Sequence, residues 1–250
     1  MLEKSPPQGA QAALRAVRLL KLFTPERPEL QLAEVSKQAG LNKTTAYRLL
    51  QALHSESLLD RNPGSGAYRL GPALMALGVQ ALSSNDLRLR ARPLLNRLAE
   101  ETGETATLEI PVENTMLILD EVTGSHFVGA AGNVGTRWPI HATSTGKVLL
   151  AFDEQYVGVI DDTLEALTKR TITDRTVLEA ELAEIRRRGY AETVDELEHG
   201  FSGVGAVVRG SMGDVLGALS ICGPTQRLSE PRRSQLGMIL MDAAERLQPR

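Results

Sequence analysis

Several features are scarce in this 250-residue sequence, and each scarcity excludes a class of protein. A single cysteine, Cys222, excludes an intrachain disulfide and a cysteine-based metal site. No segment approaches the ~18 consecutive apolar residues of a membrane span. The first residues also lack the apolar core of a signal peptide. We therefore expect a cytoplasmic protein.

The net charge of the whole chain is small, but the charged residues are unevenly distributed along it. The net charge is −3. Residues 1–70 hold ten Lys/Arg and six Asp/Glu, a net charge of +4, whereas residues 71–250 hold eighteen and twenty-five, a net charge of −7. The length is sufficient for two domains of ~100–200 residues each. This asymmetry favours a basic nucleic-acid reader joined to an acidic sensor domain.

The basic part contains the pattern of a winged helix-turn-helix. Apolar spacing predicts helices over residues 12–23, 31–39 and 43–55, with Gly40 at the tight turn between the second and third. Asn42 is a suitable N-cap for the third helix. A hairpin over residues 58–62 and 67–70, around the turn PGSG, predicts the wing.

The third helix presents polar side chains opposite its apolar face, as a recognition helix does in the major groove. Arg48 can pair with guanine and Gln51 with adenine, while Lys43 and Thr44 can hold phosphates. Each residue alone is equally typical of solvated surface, and the wing arginines are also typical of a charged edge that discourages sheet pairing. The predicted DNA-binding residues are Lys43, Thr44, Thr45, Tyr47, Arg48, Gln51, Arg61 and Arg69.

The remainder predicts an apolar helix and a larger mixed domain. Helix 73–82 is too apolar for an isolated surface helix, so we interpret it as a linker that packs on a second subunit; packing within its own chain is the alternative. After helix 87–101, we predict strands over residues 105–110, 116–122, 125–131, 190–193, 204–209 and 215–221. Helices are predicted from residue 144 and over 154–161, 177–188 and 229–247. This mixture indicates an α/β domain on a largely antiparallel sheet.

Two segments of the larger domain suggest a ligand pocket. Ser144, Thr145 and Gly146 open a helix, where free amides and the helix dipole favour an anion. Ser220 and Cys222 face one side of a strand, as two small polar groups in a pocket wall would. The alternative is that they fill a tight core.

Five blocks of the sequence resemble the IclR family of bacterial transcriptional regulators: GLNKTTAYRLLQAL, YRLGPALMALG, TRWPIHATSTGKVLLA, RRRGYAETVDELEHGFSGVGAVV and VLGALSICGP. The resemblance covers roughly residues 12–246. It implies an α/β protein with a disordered tail (1–9), a winged helix-turn-helix (10–71), a linker helix (72–84) and a GAF-like effector domain (85–250). It also implies a near-palindromic DNA operator, a homodimer or tetramer, and a small carboxylic or aromatic effector.

The resemblance further implies which residues bind the effector. They are Phe127, Ala130, Trp138, Ser144, Thr145, Thr193, Phe201, Gly203, Ser220 and Cys222. Four positions depart from the family pattern. Trp138 replaces a smaller aliphatic residue, Thr193 and Val194 stand where acids are frequent, although Asp195 and Glu196 remain, and Gly203 replaces Cys or Ser. We hypothesise a larger, more apolar cavity lined by Trp138, Phe127 and Phe201; alternatively Trp138 plugs the pocket.

Catalytic and metal sites find little support. The run STGK fails the phosphate-loop pattern because His141 stands where glycine is needed and Val148 where Ser or Thr is needed. Cys222 has no evident base, and His126, His141 and His199 have no compact metal spacing. We expect no enzyme, cofactor or metal. The remaining rival is a ligand-binding or protein-interaction module whose winged helix does not regulate transcription.

Overall fold

The structure is a computed structural model that describes residues 10–125, 133–157 and 163–248. The chain divides into two compact units, Met1–Ser84 and Asn85–Arg250. Three expectations fall wholly or largely outside the described ranges: the tail over 1–9, the strand over 125–131, and the second half of the helix over 154–161. No helix within the described ranges is long and apolar enough to cross a membrane.

The first unit consists of four helices and a small sheet. The helices are α1 (Gln11–Leu20), α2 (Leu32–Gln38), α3 (Lys43–Ser55) and α4 (Pro72–Ser83), and the strands are β1 (Glu29–Leu30), β2 (Leu59–Arg61) and β3 (Tyr68–Leu70). The strands pair antiparallel in the order β1-β3-β2. Strand β1 was not predicted, because two residues after Pro28 are too few to show a strand period.

One apolar cluster holds this unit together. Helix α1 ends earlier than predicted, at Leu20, yet Phe23 still enters the core from the turn that follows. Helix α3 has the predicted bounds, and Asn42 caps it by accepting a hydrogen bond from the Thr45 amide at 2.8 Å. The buried members of the cluster are Leu19, Phe23, Leu30, Val35, Leu50, Leu53, Leu59 and Tyr68.

The second unit is built on a six-stranded sheet. Its strands are β4 (Thr105–Val112), β5 (Thr115–Val122), β6 (Arg137–Pro139), β7 (Tyr190–Val194), β8 (Phe201–Arg209) and β9 (Val215–Pro224). Its helices are α5 (Asp86–Thr102), α6 (Ser144–Phe152), α7 (Glu154–Val157), α8 (Arg175–Arg188) and α9 (Glu230–Arg246). Every pairing in the order β6-β5-β4-β9-β8-β7 is antiparallel. The predicted fold class is thereby confirmed.

The β4–β5 hairpin is tighter than the sequence suggested. Residues 111–115 were expected to form the turn, but Pro111 pairs with Met116 and Val112 with Thr115. Only Glu113 and Asn114 remain between the strands, and Glu113 adopts a left-handed φ of +55°. Two-residue hairpin turns use this region because it matches the twist of the strands. The edge strand β6, three residues long, was also missed.

Helices cover both faces of this sheet. A Cβ at Gly205 of β8 would lie 2.8 Å from the carbonyl carbon of Ser144, so α6 approaches β8 more closely than a side chain allows. On the other face, Tyr190 packs against Gly237 of α9. Eight of the nine residues of α6 are buried. The N-terminus of α6 therefore lies on the central strands, where a cavity opens.

Candidate functional site

Helix α3 carries an exposed polar face. Lys43, Thr44, Tyr47 and Arg48 are exposed, and 47% of Tyr47 is accessible to solvent. Thr45 is half-buried beside the cap of the helix. These side chains lie on the first two turns of the helix, the end that a helix-turn-helix presents to base edges.

Gln51 has a partner inside the domain. Its side-chain amide donates a hydrogen bond to the Tyr68 hydroxyl at 2.9 Å, and Tyr68 is only 2% exposed. This contact orients Gln51 toward β3. Gln51 can therefore contact adenine only through the hydrogen-bonding groups that Tyr68 does not use, or after the bond to Tyr68 is broken.

The two wing arginines are also held within the hairpin. Arg69 forms an exposed salt bridge with Asp60 at 2.7 Å, and its guanidinium lowers the pKa of that carboxyl. Arg61 donates to the Gly66 carbonyl at 3.2 Å and stacks 5.2 Å from the Tyr68 ring centroid. Both side chains stabilise the wing, and Asp60 neutralises the charge of Arg69 locally.

A small cavity lies in the second unit between the sheet and the start of α6. The structure brings eight of the ten predicted effector residues together around it: Trp138, Ser144, Thr145, Thr193, Phe201, Gly203, Ser220 and Cys222. Phe127 and Ala130 lie outside the described residues. The sequence reading missed seven further lining residues: Thr107, Glu109, Ile118, Glu121, Ala142, Thr143 and Leu197.

The start of α6 is fixed tightly against the cavity. Thr143 caps the helix by accepting a hydrogen bond from the Gly146 amide at 3.1 Å. A Cβ at Gly146 would overlap the Ile140 carbonyl, so only glycine permits this approach. At Gly203, a Cβ would come within 3.1 Å of the Ser144 hydroxyl. The small residues seen in the sequence therefore keep both the helix start and the cavity open.

Hydroxyl groups surround a buried carboxyl, Glu109. Its two oxygens accept hydrogen bonds from Thr107 at 2.9 Å and from Thr145 at 2.7 Å. Thr107 is in turn 2.9 Å from the Ser220 hydroxyl. Burial raises the pKa of the Glu109 carboxyl, and these hydrogen bonds offset part of that rise. The alternation of Thr107 and Glu109 in TATLEI was the available signal for this group, because both point to one face of β4.

Glu121 is a second carboxyl on the same face. It lies opposite Thr107 in the β4–β5 register. Burial raises the pKa of its carboxyl, and a hydrogen bond from Thr123 lowers it. The Oε2 atom of Glu121 is buried and has no hydrogen-bond partner within the described ranges.

The acidic pair that follows β7 does not line the cavity. Both carboxyl oxygens of Glu196 accept hydrogen bonds from the buried Lys147 ammonium, at 2.6 and 2.7 Å. Asp195 accepts from the Thr225 hydroxyl at 2.6 Å and from the Gly200 amide at 2.9 Å. Lys147, the lysine of STGK, is thus the buried ion-pair partner of Glu196. Both Asp195 and Glu196 make their contacts outside the cavity.

The other candidate reactive groups are occupied or scattered. Burial raises the pKa of the Cys222 thiol, which keeps it protonated and weakens it as a nucleophile. His141 contacts the Glu165 carbonyl at 2.9 Å, whereas the ring of His199 is exposed and 3.8 Å from Asp195. His126 lies outside the described residues. Within those residues, no cluster of His, Cys, Asp or Glu has the arrangement of a metal site.

Comparison with known proteins places both units in one family. The sequence model described as the bacterial transcriptional regulator IclR C-terminal domain matches residues 79–248, and that of the IclR helix-turn-helix domain matches residues 12–63. The chain belongs to the IclR family of bacterial transcriptional regulators. The resemblance seen in the sequence is thereby confirmed.

Individual IclR relatives cover nearly the whole chain. The transcriptional regulator XynR of Escherichia coli K12 is 33% identical over 223 residues, which are 88% of each chain. An IclR regulator from Alicyclobacillus acidocaldarius has a TM-score of 0.81, with 29% identity over 94% of this chain and 96% of that one. An IclR homologue from Microbacterium hydrocarbonoxydans, crystallised with 4-hydroxybenzoate, has a TM-score of 0.75, with 29% identity over 94% and 97%.

Proposed function

We propose that this IclR-family protein is a ligand-responsive regulator whose helix α3 reads an operator in the major groove. The exposed side chains of Lys43, Thr44, Tyr47 and Arg48 support this role. Arg48 is the candidate for bidentate contact with guanine, and Lys43 for phosphate contact. Thr45, Gln51, Arg61 and Arg69 take supporting positions, because each has a partner within the domain.

We assign to α4 the role of a linker that joins two copies of the chain. None of its twelve residues is buried, and three large apolar side chains, Met75, Leu77 and Val79, are 67%, 55% and 63% exposed. Apolar surface of this kind is stabilised by a protein partner. A second copy places two α3 helices on one duplex, so the operator has two related half-sites about one helical turn, or a multiple of it, apart. Light scattering of the full chain distinguishes the dimer from a tetramer.

The cavity of the second unit is our candidate for the effector site. Trp138, Phe201 and Ile118 give it the apolar walls that are typical of small-molecule pockets. The relative crystallised with 4-hydroxybenzoate supports an aromatic effector for this chain. A binding event alters DNA affinity only if the effector prefers one of two arrangements of the protein. The protein then acts in the cytoplasm, on genomic DNA.

The observation that carries this proposal is one chain with an exposed recognition face on one domain and a cavity with apolar walls in the other. Selection of duplexes from random DNA by the full-length protein tests it directly. We expect a near-palindromic consensus, with affinity that falls about 10³–10⁵-fold between 50 and 200 mM salt if six to ten phosphates are contacted. No enriched sequence and no salt dependence would favour the interaction module without a regulatory role.

A further inference from the structure

The effector domain has four buried carboxyl groups within its described residues, and three of them lie beside a cation. Arg227 contacts Glu104 at 2.6 Å, and Lys147 contacts Glu196 at 2.6 Å. The third, Asp120, accepts from Arg92 at 2.9 Å and from Arg88 at 3.3 Å. The fourth carboxyl, Glu109, accepts hydrogen bonds from the hydroxyls of two threonines and has no cation as a partner among the described residues. Because a buried carboxylate is costly unless it is paired, Glu109 is the exception that needs an explanation.

The exception lies on the cavity wall. A carboxylate has about four lone-pair positions, and the two threonine hydroxyls occupy one on each oxygen of Glu109. The remaining acceptor capacity is available to a ligand. Ser220 fixes Thr107, and Thr143 lies 3.4 Å from Thr145, so the donors that aim Glu109 are themselves held in place.

Glu121 adds a second unfilled acceptor to the same wall. It is paired in register with Thr107, on the strand next to Glu109 and on the same face of the sheet. Its Oε2 atom is buried without a partner among the described residues. Leaving a buried acceptor unsatisfied is energetically costly, more so when it is charged. Glu109 and Glu121 therefore both have acceptor positions that no donor among the described residues fills.

The electrostatics of the cavity oppose an anion. None of its described lining residues is Lys or Arg. The N-terminus of α6 contributes about half an elementary positive charge, and the Thr143 side chain already accepts from one of its amides. Two carboxyl groups outweigh that half charge when either is ionised.

Building on the proposed function of the cavity, we infer that its effector is a neutral or cationic molecule with hydrogen-bond donors that meet Glu109 and Glu121, and with an apolar body against Trp138 and Phe201. Hydroxyl, amide, amidine and ammonium groups are suitable donors. A carboxylate is a poor ligand when Glu109 and Glu121 are ionised, because it offers acceptors to acceptors. This assignment departs from the carboxylic effector that the family resemblance suggested.

Matched probes of one shape and different charge test the assignment. We would titrate the full-length protein with three sets, each a carboxylate, its primary amide and its amidine: acetate, cyclohexanecarboxylate and benzoate with their derivatives. Trp138 is the only tryptophan of the chain, so its fluorescence reports on the cavity wall. Within at least one set, we expect the amide or amidine to bind ten-fold or more tightly than the carboxylate. Tightest binding by a carboxylate in every set that binds overturns the inference.

Two isosteric variants show whether the carboxyls set this preference. Glu121→Gln and Glu109→Gln each turn an acceptor into a mixed donor and acceptor. Each variant is expected to weaken amidine binding about ten-fold and to reduce the difference in affinity between the amidine and the carboxylate of the same set. Glu100→Gln, on the exposed surface of α5, is the matched control and should leave binding unchanged. Unchanged preference in both cavity variants, with their folds intact by circular dichroism, contradicts the inference.

The outcome also separates this inference from the function on which it rests. A carboxylate that binds the cavity and alters operator affinity overturns the donor assignment and leaves the regulator intact. If no probe in any set affects Trp138 or operator affinity, the donor assignment fails together with the effector role of the cavity. Loss of operator binding by the unliganded protein under all conditions would instead remove the proposed regulator itself.

Discussion

Helix α3 carries its polar side chains on the surface, whereas the cavity of the effector domain carries them inside. Lys43 and Arg48 extend into solvent, where an open hydrogen-bonding group is satisfied by water. Thr107, Glu109 and Ser220 are nearly fully buried, and each must find a protein or ligand partner. A polar side chain without a protein partner therefore costs little free energy on the surface of α3 and much more in the cavity.

This difference shows where an unpaired group is informative. An exposed arginine without a protein partner is ordinary and identifies a DNA contact only through its place on a recognition helix. A buried carboxyl without a cation is unusual, and the paired examples in the same domain make it more so. The contrast predicts that substitutions of buried polar groups affect stability, whereas substitutions on the α3 surface affect DNA binding alone.

The largest expected effect comes from breaking the best-paired buried group. Lys147→Met leaves the Glu196 carboxylate buried without its cation, which should lower the free energy of unfolding by about 3–5 kcal/mol. Urea unfolding followed by Trp138 fluorescence measures this. Adding Glu196→Gln to the variant should recover much of the loss, and Lys43→Met on the exposed face is the control. If Lys147→Met alone lowers the free energy of unfolding by less than about 1 kcal/mol, the buried pair contributes no more than a surface pair, and the contrast between the two regions fails.

The exposed side is tested by Arg48→Ala. If Arg48 pairs with a base, the variant should lose about 1–3 kcal/mol of affinity for the selected operator, without change in unfolding. Lys43→Ala should weaken binding to all sequences alike and reduce the salt slope by about one. Fluorescence anisotropy on operator and scrambled duplexes measures both. Equal weakening by Arg48→Ala on the two duplexes would mark a phosphate contact instead.

A smaller effect is expected at the unpaired buried carboxyl, and its sign depends on pH. Burial raises the pKa of Glu109 above its usual 4.5, so the folded protein holds the proton more tightly than the unfolded chain does. Stability from this group is present below pH 4.5 and is lost as the pH rises through the folded-state pKa. Glu109→Gln should therefore match the wild type at pH 4 and exceed it by about 1 kcal/mol or more at pH 8.

The opposite sign is expected at a paired carboxyl in the same domain. Glu104→Gln removes the partner of Arg227 and should destabilise the protein at pH 8. Guanidinium chloride unfolding at both pH values compares the two variants. Loss of stability by both at pH 8 would show that Glu109 is as well satisfied as Glu104, and the contrast between them would disappear.

The smallest expected effect is at the hydrogen bond between half-exposed Gln51 and buried Tyr68, both in the first unit. Tyr68→Phe keeps the ring in the core and removes the hydroxyl that accepts from Gln51. We expect a loss of about 0.5–1.5 kcal/mol in thermal unfolding of the full chain. Gln51→Ala should cost a similar amount if this bond is the main contribution of Gln51. If Gln51→Ala alone changes the base preference of the operator, Gln51 reads DNA as first predicted.

Local patterns were sufficient for the recognition helix. The N-cap at Asn42, the apolar spacing and Gly40 gave the observed bounds of α3, because all these signals act within one or two turns. The same reasoning overextended α1 to residue 23 and missed β1, where a two-residue strand has no period to detect. It also gave no sign of the partners that Arg61 and Arg69 have across the hairpin, and their contact with DNA stays a prediction.

The cavity was only partly accessible to sequence reasoning. The family resemblance supplied Trp138 and Phe201, and strand alternation placed Ser220 beside Cys222. Glu121 gave no signal, because its place depends on the register between β4 and β5. Asp195 and Glu196 remain next to positions where the family often has acids, but their partners, Thr225 and Lys147, lie 30 and 49 residues away along the chain.

The sequence by itself determined the family through blocks that resemble it, and the recognition helix through short-range periodicity and capping, because each of these signals lies within one segment. Only the tertiary structure decided which buried carboxyls have cations. Pairing of Glu104 with Arg227 spans 123 residues, and Glu109 meets Thr145 across 36. Desolvation and hydrogen bonding act through space, so the charge preference of the cavity is a property of the folded sheet and not of any stretch of sequence.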